Sequence, residues 1–302
     1  MKIFITGATG FVGQEIVRQF CQAGHSMCLL VRTRSRAQLE EIRKCAGADV
    51  SDGNILDARS LEGLLNGCDA VIHLAGIISE LGESTFENIH VRGTRNVVEA
   101  AQQQGVKRFV HMSALGTRVN AVSRYHKTKW EAEEIVRGSG LDYTVFRPSL
   151  IFGPRDMFVN LFAKIIRFSP IVPILARRDA IFQPVAIEAV ATAFVKSITV
   201  VESIGKAFEL VGPETFTMSQ IIDQILAVMK RRRFKVHIPS ALAGFQAGFL
   251  EFLFPKVLRK AAPLNRDQLI MLQEDNVGNA ELANELFGLD PVSFRKGIGR
   301  YL

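Results

Sequence analysis

The chain has 302 residues, of which 48% are hydrophobic and 22% are charged. This composition is that of an ordinary globular protein with one large or two unequal domains, and it excludes a mainly disordered or low-complexity chain. The 37 basic residues exceed the 30 acidic ones by a modest, dispersed margin, which suits an anionic ligand and argues against nucleic acid as a partner.

In chain order, short apolar runs alternate with segments of helical periodicity. The strand-like runs are residues 3–5, 27–31, 70–74, 108–112, 143–146 and, later, 207–211. The helical segments between them are residues 37–45, 61–66, 85–104 and 124–138. Continuous apolar strands that alternate with helices are typical of an α/β fold with a doubly wound parallel sheet.

The regular alternation ends near Gly153 and Pro154. We therefore predict two parts, a sheet-containing domain at residues 1–155 and a smaller, mostly helical substrate region at residues 156–302. Residues 184–200 and 207–211 are expected to pack back on the first part. A capping box at residues 217–220 predicts that a helix begins there.

The cysteines and the N-terminus indicate the compartment. Cys21, Cys28, Cys45 and Cys68 all lie in the first quarter of the chain and form no CxxC pair. We therefore expect neither a disulfide framework nor a metal site, and a reducing, cytoplasmic location. The N-terminal apolar run is too short for a signal peptide, and no stretch of about 18 residues is free of polar groups, so no transmembrane helix is predicted.

A glycine-rich loop follows the first strand-like run. It reads TGATGFVG, with Gly7, Gly10 and Gly13 three residues apart. The first Gly permits a tight turn, the second lets the backbone approach a pyrophosphate, and the third lets the helix lie close to the strand. Free amide groups at the positive helix end then hold the phosphates. Because the loop joins a strand to an amphipathic helix, it predicts a Rossmann-type dinucleotide site.

The residues after the second strand-like run indicate which dinucleotide fits. Arg32 follows the run directly, Arg34 comes two residues later, and residues 26–39 include no acidic side chain. An acidic side chain here would accept the ribose hydroxyls of NAD and repel a 2′-phosphate, whereas arginine binds that phosphate. We therefore favour NADP(H), with Arg32 ahead of Arg34 as its ligand, and leave NAD(H) open.

A tyrosine and a lysine stand four residues apart in YHKTK, at Tyr125 and Lys129. On a helix these positions share a face. A nearby ammonium would favour the phenolate and lower the pKa of the tyrosine, which makes it an acid/base for a carbonyl or an alcohol. The pair therefore predicts oxidoreductase chemistry, in which Lys129 also holds the nicotinamide ribose.

The ordered set of motifs resembles that of the extended short-chain dehydrogenases/reductases, the NAD-dependent epimerase/dehydratase superfamily. The matching pieces are TGATGFVG, VIHLAG, VRGTRNVVEAA, RFVHMSALG, YHKTK, RPSLIFGP and AFELVGPETFTMSQII, which extend over nearly the whole chain. HMSALG, RPSLIFGP and QLIMLQEDNV are similar to an atypical branch that includes alpha-subcomplex subunit 9 of mitochondrial NADH:ubiquinone oxidoreductase.

The resemblance implies a role for each matching position. The pyrophosphate loop would be lined by Gly7, Thr9, Gly10, Phe11, Val12 and Gly13, and the adenine edge by Asn54 and Ile55. The middle of the cofactor would meet Leu74, Ala75 and Gly76, and the nicotinamide would meet Pro148, Ser149, Leu150 and Ile151. Tyr125 and Lys129 would be the catalytic pair, and Ser113 would polarise the substrate oxygen.

Two departures from the family pattern bear on catalysis. His90 stands where the family's helix has an Asn that helps to hold a proton-relay water. A second alignment places Ala114, rather than Ser113, at the catalytic position. His73 and His111 lie in apolar runs, where a buried, hydrogen-bonded histidine is the expected form.

Three functions follow as hypotheses. The leading one is an NADP(H)-dependent oxidoreductase acting on a carbonyl or alcohol of an unidentified, lipophilic small molecule. The second is a non-catalytic NADPH-binding protein with a structural or assembly role at a membrane respiratory or quinone-related complex. The third, a nucleotide-sugar epimerase or dehydratase, ranks lower because nothing marks a nucleotide-sugar site.

Residues 238–260 form a Phe- and Leu-rich stretch with basic residues on both sides. The preferred interpretation is a helix that covers the cleft or contacts a second copy in a homo-oligomer. The alternative is an interfacial helix that contacts an anionic membrane, which would place the protein peripherally on that membrane.

Overall fold

Thirteen strands are present in the computed structural model, which describes residues 1–32, 45, 47–239, 244, 248 and 264–302. They are β1 (Lys2–Thr6), β2 (Ser26–Val31), β3 (Ala48–Asp52), β4 (Ala70–His73), β5 (Arg108–Met112), β6 (Asp142–Pro148), β7 (Ile151–Phe152), β8 (Ile171–Ile174), β9 (Ile181–Phe182), β10 (Val185–Ala186), β11 (Lys206–Leu210), β12 (Phe216–Thr217) and β13 (Phe234–His237). Seven of them form one sheet in the order β11-β6-β5-β4-β1-β2-β3, and the other six form three two-stranded ribbons.

All neighbouring strands of the large sheet are parallel. β1 lies between β4 and β2, so the order of the strands reverses at β1 and β4. In open α/β sheets the ligand lies beyond the carboxyl ends of the strands at this switch point. The predicted Rossmann-type, doubly wound parallel sheet is therefore confirmed.

Nine α-helices occur in the described part of the chain. They are α1 (Phe11–Gln22), α2 (Gly93–Gln103), α3 (Arg124–Arg137), α4 (Phe158–Phe168), α5 (Ile187–Ser197), α6 (Met218–Val228), α7 (Arg266–Met271), α8 (Glu281–Phe287) and α9 (Phe294–Ile298). A π-helical turn, Glu87–Arg92, leads into α2, and 3-10 turns form at Ala58–Leu61 and Val201–Ser203. The predicted capping box forms at the start of α6.

Helices cover both faces of the large sheet. Phe20 of α1, Phe194 of α5 and Phe287 of α8 pack on one face, and Val97 of α2 and Val136 of α3 pack on the other. α5 lies against α1, and β11 extends the sheet beside β6. A third apolar cluster joins α4, α6, α9 and β8 in the C-terminal region.

Up to β6, two elements differ from those predicted from the sequence, and beyond it the short strands β7–β10, β12 and β13 were not predicted. No helix forms over residues 61–66, because Gly63 and Gly67 adopt φ angles of 74° and 70° and the chain there makes successive turns. β3 was not predicted, because its sequence, ADVSD, is polar and only partly buried at the sheet edge. The predicted helix at residues 37–45 lies outside the described residues except for Cys45.

A disulfide joins Cys21 at the end of α1 to Cys45, with 5.9 Å between the two Cα atoms. The expectation that the cysteines form no disulfide is wrong for this pair. The sequence spacing does not reveal the bond, because it depends on β3 pairing with β2 and so bringing residue 45 beside the end of α1.

The apolar stretch at residues 238–260 lies almost entirely outside the described residues, so its interpretation stays a prediction. Among the helices that are described, none combines the length and the apolar character needed to cross a bilayer.

Candidate functional site

The glycine loop fits the cradle that a dinucleotide phosphate requires. Gly7 turns with a φ of 75°, and a Cβ atom there would lie 2.9 Å from the amide nitrogen of Ala75. A Cβ atom at Gly13 would overlap the carbonyl oxygen of Gly7 and lie 2.8 Å from the Cα of Ala8. Helix α1 begins after Gly10 with no side-chain cap and no acidic residue in its first turn. The positive helix end is therefore left for an anion.

The other residues of the loop support its shape. Thr9 accepts a hydrogen bond at its carbonyl from the side-chain amide of Gln14, at 2.9 Å. Val12 is buried in the core, and Phe11 packs against the same cluster while remaining half-buried. The loop is thus held by main-chain and apolar contacts.

The adenosine end of the site is described only in part. Arg32 is exposed at the end of β2, and Arg34 lies outside the described residues. Asn54 accepts a hydrogen bond at its side-chain oxygen from the amide of Leu56, at 3.1 Å. Ile55 is buried, and its side chain lies against Gly93 at the start of α2. Ile55 therefore shapes this end of the site through α2, and its contact with an adenine stays a prediction.

The residues after β4 lie between the glycine loop and α3. Leu74 is buried, Ala75 is half-buried and Gly76 is exposed. A Cβ atom at Gly76 would lie 3.1 Å from Nζ of Lys129 and 3.7 Å from Nε2 of His90. The turn after β4 thus meets the glycine loop on one side and Lys129 on the other.

Lys129 presents a buried ammonium group behind the turn of residues 74–76. This turn and Lys129 together are called the Lys129 wall below. Lys129 is only 2% exposed, and Nζ donates to the carbonyl oxygen of Met112 at 2.9 Å. Burial lowers the pKa of Lys129 to about 8, against the opposing charge of Glu133. Glu133 itself forms ion pairs with Arg147 and Arg137. Within the described residues the ammonium therefore has one hydrogen-bond acceptor and no carboxylate in contact.

Tyr125 lies one helical turn before Lys129, among aromatic rings. Its ring contacts His90 edge-on with 5.3 Å between centroids, and Phe86 and His126 lie at 5.9 and 5.4 Å. Burial, followed by the charge of Asp267, raises the pKa of Tyr125 to about 12. The expectation that Lys129 lowers this pKa is therefore wrong for the structure, because desolvation and a carboxylate dominate. Tyr125 is a protonated phenol at neutral pH.

His90 bridges α3 and the turn after β4. Nδ1 is hydrogen-bonded to Oγ1 of Thr128 at 2.9 Å, and Nε2 lies 3.1 Å from the carbonyl oxygen and 3.2 Å from the amide nitrogen of Ile77. Burial lowers the pKa of His90 to about 2, and the charge of Lys129 adds to this effect. His90 is therefore neutral, with both ring nitrogens engaged.

Two further histidines, in the central strands β4 and β5, extend this group of buried polar side chains. His73 is hydrogen-bonded to Thr6 at 2.7 Å and to Thr94 at 3.0 Å. His111 stacks on His73 with 5.4 Å between ring centroids, but neither of its ring nitrogens has a hydrogen-bond partner in the described structure. Burial and the charge of Lys129 lower the pKa of His73 to about 3 and hold that of His111 well below its usual range. The expected hydrogen bonding thus holds for His73 only.

Ser113 and the residues at the end of β6 and after it are held by contacts with neighbouring segments. Ser113 is buried, and its hydroxyl lies 3.4 Å from that of Thr117. The four residues that were expected to meet the nicotinamide bond to neighbouring segments. Pro148 accepts a hydrogen bond from the amide of Leu115, and Ser149 donates one to the carbonyl of Gln183. Leu150 accepts from the amide of Val185, and Ile151 pairs with Val185 in a ribbon. Their contact with a nicotinamide stays a prediction.

The sequence reasoning missed Asp267 and Asn265, which bring α7 onto the site. Asp267 accepts hydrogen bonds from the amides of Arg124 at 2.7 Å and Tyr125 at 2.9 Å, so it caps α3. Asn265 donates to the carbonyl of Ile78 at 3.0 Å. The spacing Asn265-x-x-Gln268 is a capping-box signal that predicts the start of α7, but only the fold shows what α7 contacts.

Three features define a Rossmann-type dinucleotide-binding protein: the glycine cradle, its place at the switch point and the Lys129 wall. The model of a family described as NAD(P)H-binding matches residues 7–154. A protein described as an uncharacterized sugar epimerase from Bacillus subtilis is 35% identical over 156 residues, 49% of this chain and 71% of that protein. The chain belongs to the extended short-chain dehydrogenases/reductases, the NAD-dependent epimerase/dehydratase superfamily.

Other relatives extend the comparison over more of the chain. Alpha subcomplex subunit 9 of the mitochondrial NADH dehydrogenase of Arabidopsis thaliana is 27% identical over 90% of this chain and 70% of its own length. A ceramide reductase from Caulobacter vibrioides is 31% identical over 59% of this chain and 55% of its own length. The crystal structure of a UDP-glucose 4-epimerase from Thermotoga maritima has the same fold, with a TM-score of 0.77, 20% identity, and coverage of 100% of this chain and 97% of that one.

Proposed function

We propose that the protein is an NADP(H)-dependent reductase that converts a carbonyl group of a lipophilic small molecule into an alcohol. The observation that carries the proposal is the ammonium of Lys129, buried beside Gly76 without a carboxylate in contact and one turn after Tyr125. Burying a charge without pairing it is costly, so such a group is more typical of a binding or catalytic site than of a structural core.

A bound dinucleotide explains why this cation is kept. With the pyrophosphate on the glycine loop, the middle of the cofactor would pass Gly76 and come within reach of Lys129. The hydroxyl groups of a ribose would accept the remaining ammonium protons. A pKa of about 8 keeps Lys129 mostly protonated at neutral pH, and hydrogen bonds to hydroxyl acceptors would raise its pKa back towards the usual value.

The protonation state of Tyr125 favours the reductive direction. When bound, NADPH would be the source of the hydride for the carbonyl carbon. Tyr125 donates its phenolic proton to the carbonyl oxygen, so that the alcohol forms without an exposed alkoxide. Solvent then returns a proton to the tyrosinate, whose pKa of about 12 favours the phenol. A pKa of about 12 in the free protein keeps Tyr125 protonated at neutral pH, which is the form that can donate a proton.

The exposed Arg32 and the relatives support the finer assignments. Arg32 ends β2, where a 2′-phosphate of the adenosine would lie, and this supports NADP(H) as the dinucleotide. The ring of Tyr125 meets the rings of Phe86, His90 and His126, and this aromatic surrounding suits a lipophilic substrate. The similarity to a ceramide reductase supports a lipophilic carbonyl compound as the substrate.

A second candidate function rests on His90. Both of its nitrogens are engaged by Thr128 and Ile77, so it offers no free group to hold a relay water. A protein that binds NADPH without turnover, and that has an assembly role at a membrane respiratory complex, would have no need of that relay. The similarity to a subunit of mitochondrial NADH dehydrogenase supports this alternative.

Replacement of the phenolic hydroxyl separates the two functions. NADPH binding would be measured by fluorescence, and NADPH oxidation would be followed with decanal, menadione and 3-ketosphinganine as carbonyl probes. For Tyr125→Phe we expect unchanged NADPH affinity and a loss of turnover of at least about a hundredfold, the usual contribution of a general acid.

The matched control is Tyr143→Phe, because the hydroxyl of Tyr143 donates to the carbonyl of Gly205 at the far side of the sheet. This variant should retain turnover. Equal turnover by Tyr125→Phe and the wild type would refute the proposed acid. NADPH binding by the wild type without oxidation of any probe would favour the second candidate.

A further inference from the structure

The ribbon of β8 and β13 has an apolar outer face. The two strands are parallel, with Ile171 opposite Phe234 and Pro173 opposite Val236. Val172 and Ile174 alternate with these residues and are buried in the C-terminal core. Phe234 is 78% exposed, Ile171 47% and Val236 41%. A ribbon with one buried face normally carries polar residues on the other, so this apolar outer face needs an explanation.

The apolar surface continues onto the end of α4. Phe168 is 77% exposed and lies three residues before Ile171. The amide of Phe234 donates to the carbonyl oxygen of Pro170 at 3.0 Å, which holds this connection against β13. Phe168, Ile171, Pro173, Phe234 and Val236 together are called the ribbon face below. Single exposed apolar residues are ordinary, but a group of this kind indicates an interaction surface.

Basic side chains border the ribbon face. Lys164 and Arg167 of α4 and Lys230, Arg231 and Arg232 after α6 are all exposed. None of these five forms an ion pair with any residue that the structure describes.

Acidic residues are missing from the two segments that carry this surface. Residues 157–175 and 227–239 contain no Asp or Glu, and the nearby Asp223 is already paired with Lys235 at 2.6 Å. The surface therefore combines unpaired positive charge with exposed aromatic and aliphatic groups.

We propose that the ribbon face is the surface by which the protein binds an anionic lipid bilayer. Phenylalanine and aliphatic side chains enter the boundary between headgroups and acyl chains, while lysine and arginine remain among the lipid phosphates. A protein partner of matching size would have to be both apolar and acidic, whereas an anionic bilayer offers both properties everywhere on its surface. Bilayer binding does not depend on the proposed reaction. Contact with a bilayer would, however, bring a lipophilic carbonyl compound close to the protein.

Vesicle flotation with the full-length protein tests the proposal. The vesicles, on the order of 100 nm across, would be of two kinds. One kind would contain roughly 70% phosphatidylcholine and 30% phosphatidylglycerol, and the other would contain phosphatidylcholine alone. We expect binding to the anionic vesicles that weakens as salt rises, and at least about tenfold weaker binding to the neutral ones.

Two double variants address the two parts of the surface. Phe168→Ser/Phe234→Ser should reduce the partition coefficient on anionic vesicles by at least about tenfold, through loss of apolar insertion. Arg231→Glu/Arg232→Glu should reduce it by a similar factor through loss of attraction to the lipid phosphates. The matched controls are Val201→Ser, at a residue that is 70% exposed before β11, and Arg59→Glu/Arg95→Glu, at two exposed arginines elsewhere. Both controls should bind as the wild type does.

Several results would overturn the proposal. Failure of the wild type to float with anionic vesicles would exclude bilayer binding. Wild-type binding by both test variants would place the membrane contact elsewhere on the chain. Self-association that is lost in Phe168→Ser/Phe234→Ser would identify a second copy as the occupant, and an RNA gel shift lost in Arg231→Glu/Arg232→Glu would identify a nucleic acid. Unchanged circular dichroism and NADPH affinity would show that each variant is folded.

Discussion

Acidification should destabilise the folded protein through the buried histidine layer. His73 and His90 have pKa values lowered to about 3 and about 2, and His111 lies well below its usual range, so all three are neutral when folded. An unfolded histidine takes up a proton with a pKa of about 6.5. Their contribution to stability is therefore present above about pH 6.5 and is lost as the pH falls below it.

The size of the effect follows from the protons that only the unfolded chain binds. At pH 5 each histidine costs about 2 kcal/mol, which is the 1.5 units below its unfolded pKa at about 1.4 kcal/mol per unit. Three such groups remove about 6 kcal/mol, a large part of the roughly 5–15 kcal/mol by which domains are stable. Carboxylates add to the loss mainly at lower pH, because their unfolded pKa values lie near 4.

Urea unfolding followed by circular dichroism at pH 7.5, 6 and 5 would measure this loss. His111→Leu is the informative variant, because His111 has no hydrogen-bond partner for either ring nitrogen in the described structure. It should retain stability at pH 7.5 and reduce the loss at pH 5 by about 2 kcal/mol, the share of one histidine. Equal free energies of unfolding of the wild type at pH 7.5 and pH 5 would refute the reasoning, as would an unchanged pH dependence in His111→Leu.

Three further predictions concern the site. Gly13→Ala should weaken NADPH binding at least about a hundredfold in calorimetry, because its Cβ would overlap backbone at Gly7 that has no room to move; near-native affinity would show that the cradle is not used. Asp267→Asn should lower the free energy of unfolding by about 1–2 kcal/mol, because the cap of the catalytic helix loses its charge; unchanged thermal unfolding would contradict that role. Arg32→Ala should weaken NADPH binding about tenfold or more and leave NADH binding unchanged, and an equal loss for both dinucleotides would exclude a 2′-phosphate contact.

The sequence was sufficient for six of the seven strands of the central sheet and for the main motifs of the site. Residues such as Ile3 and Leu29 stand in continuous apolar runs, which are typical of strands buried on both faces of a sheet. The glycine loop could be recognised because its requirements are local, namely a tight turn and a close approach of helix to strand. Tyr125 and Lys129 could be placed on one face because helical spacing alone decides it.

Features that depend on distant parts of the chain could not be predicted. Asp267 reaches the start of α3 from the C-terminal region, and after burial it is the second cause that raises the pKa of Tyr125. The bridge from His90 to Ile77 and Thr128 requires the turn after β4 to meet α3. The bond between Cys21 and Cys45 likewise depends on an edge strand that its polar sequence concealed.

The most direct test of the central claim is calorimetric titration of the folded, full-length protein with NADPH and, separately, with NADH. We predict saturable binding of one NADPH per chain, at least about tenfold tighter than NADH, because the exposed Arg32 favours the 2′-phosphate. Absence of dinucleotide binding by the folded protein would contradict the use of the glycine loop and the Lys129 wall as a cofactor site. Equal or tighter binding of NADH would contradict the assignment to NADP(H).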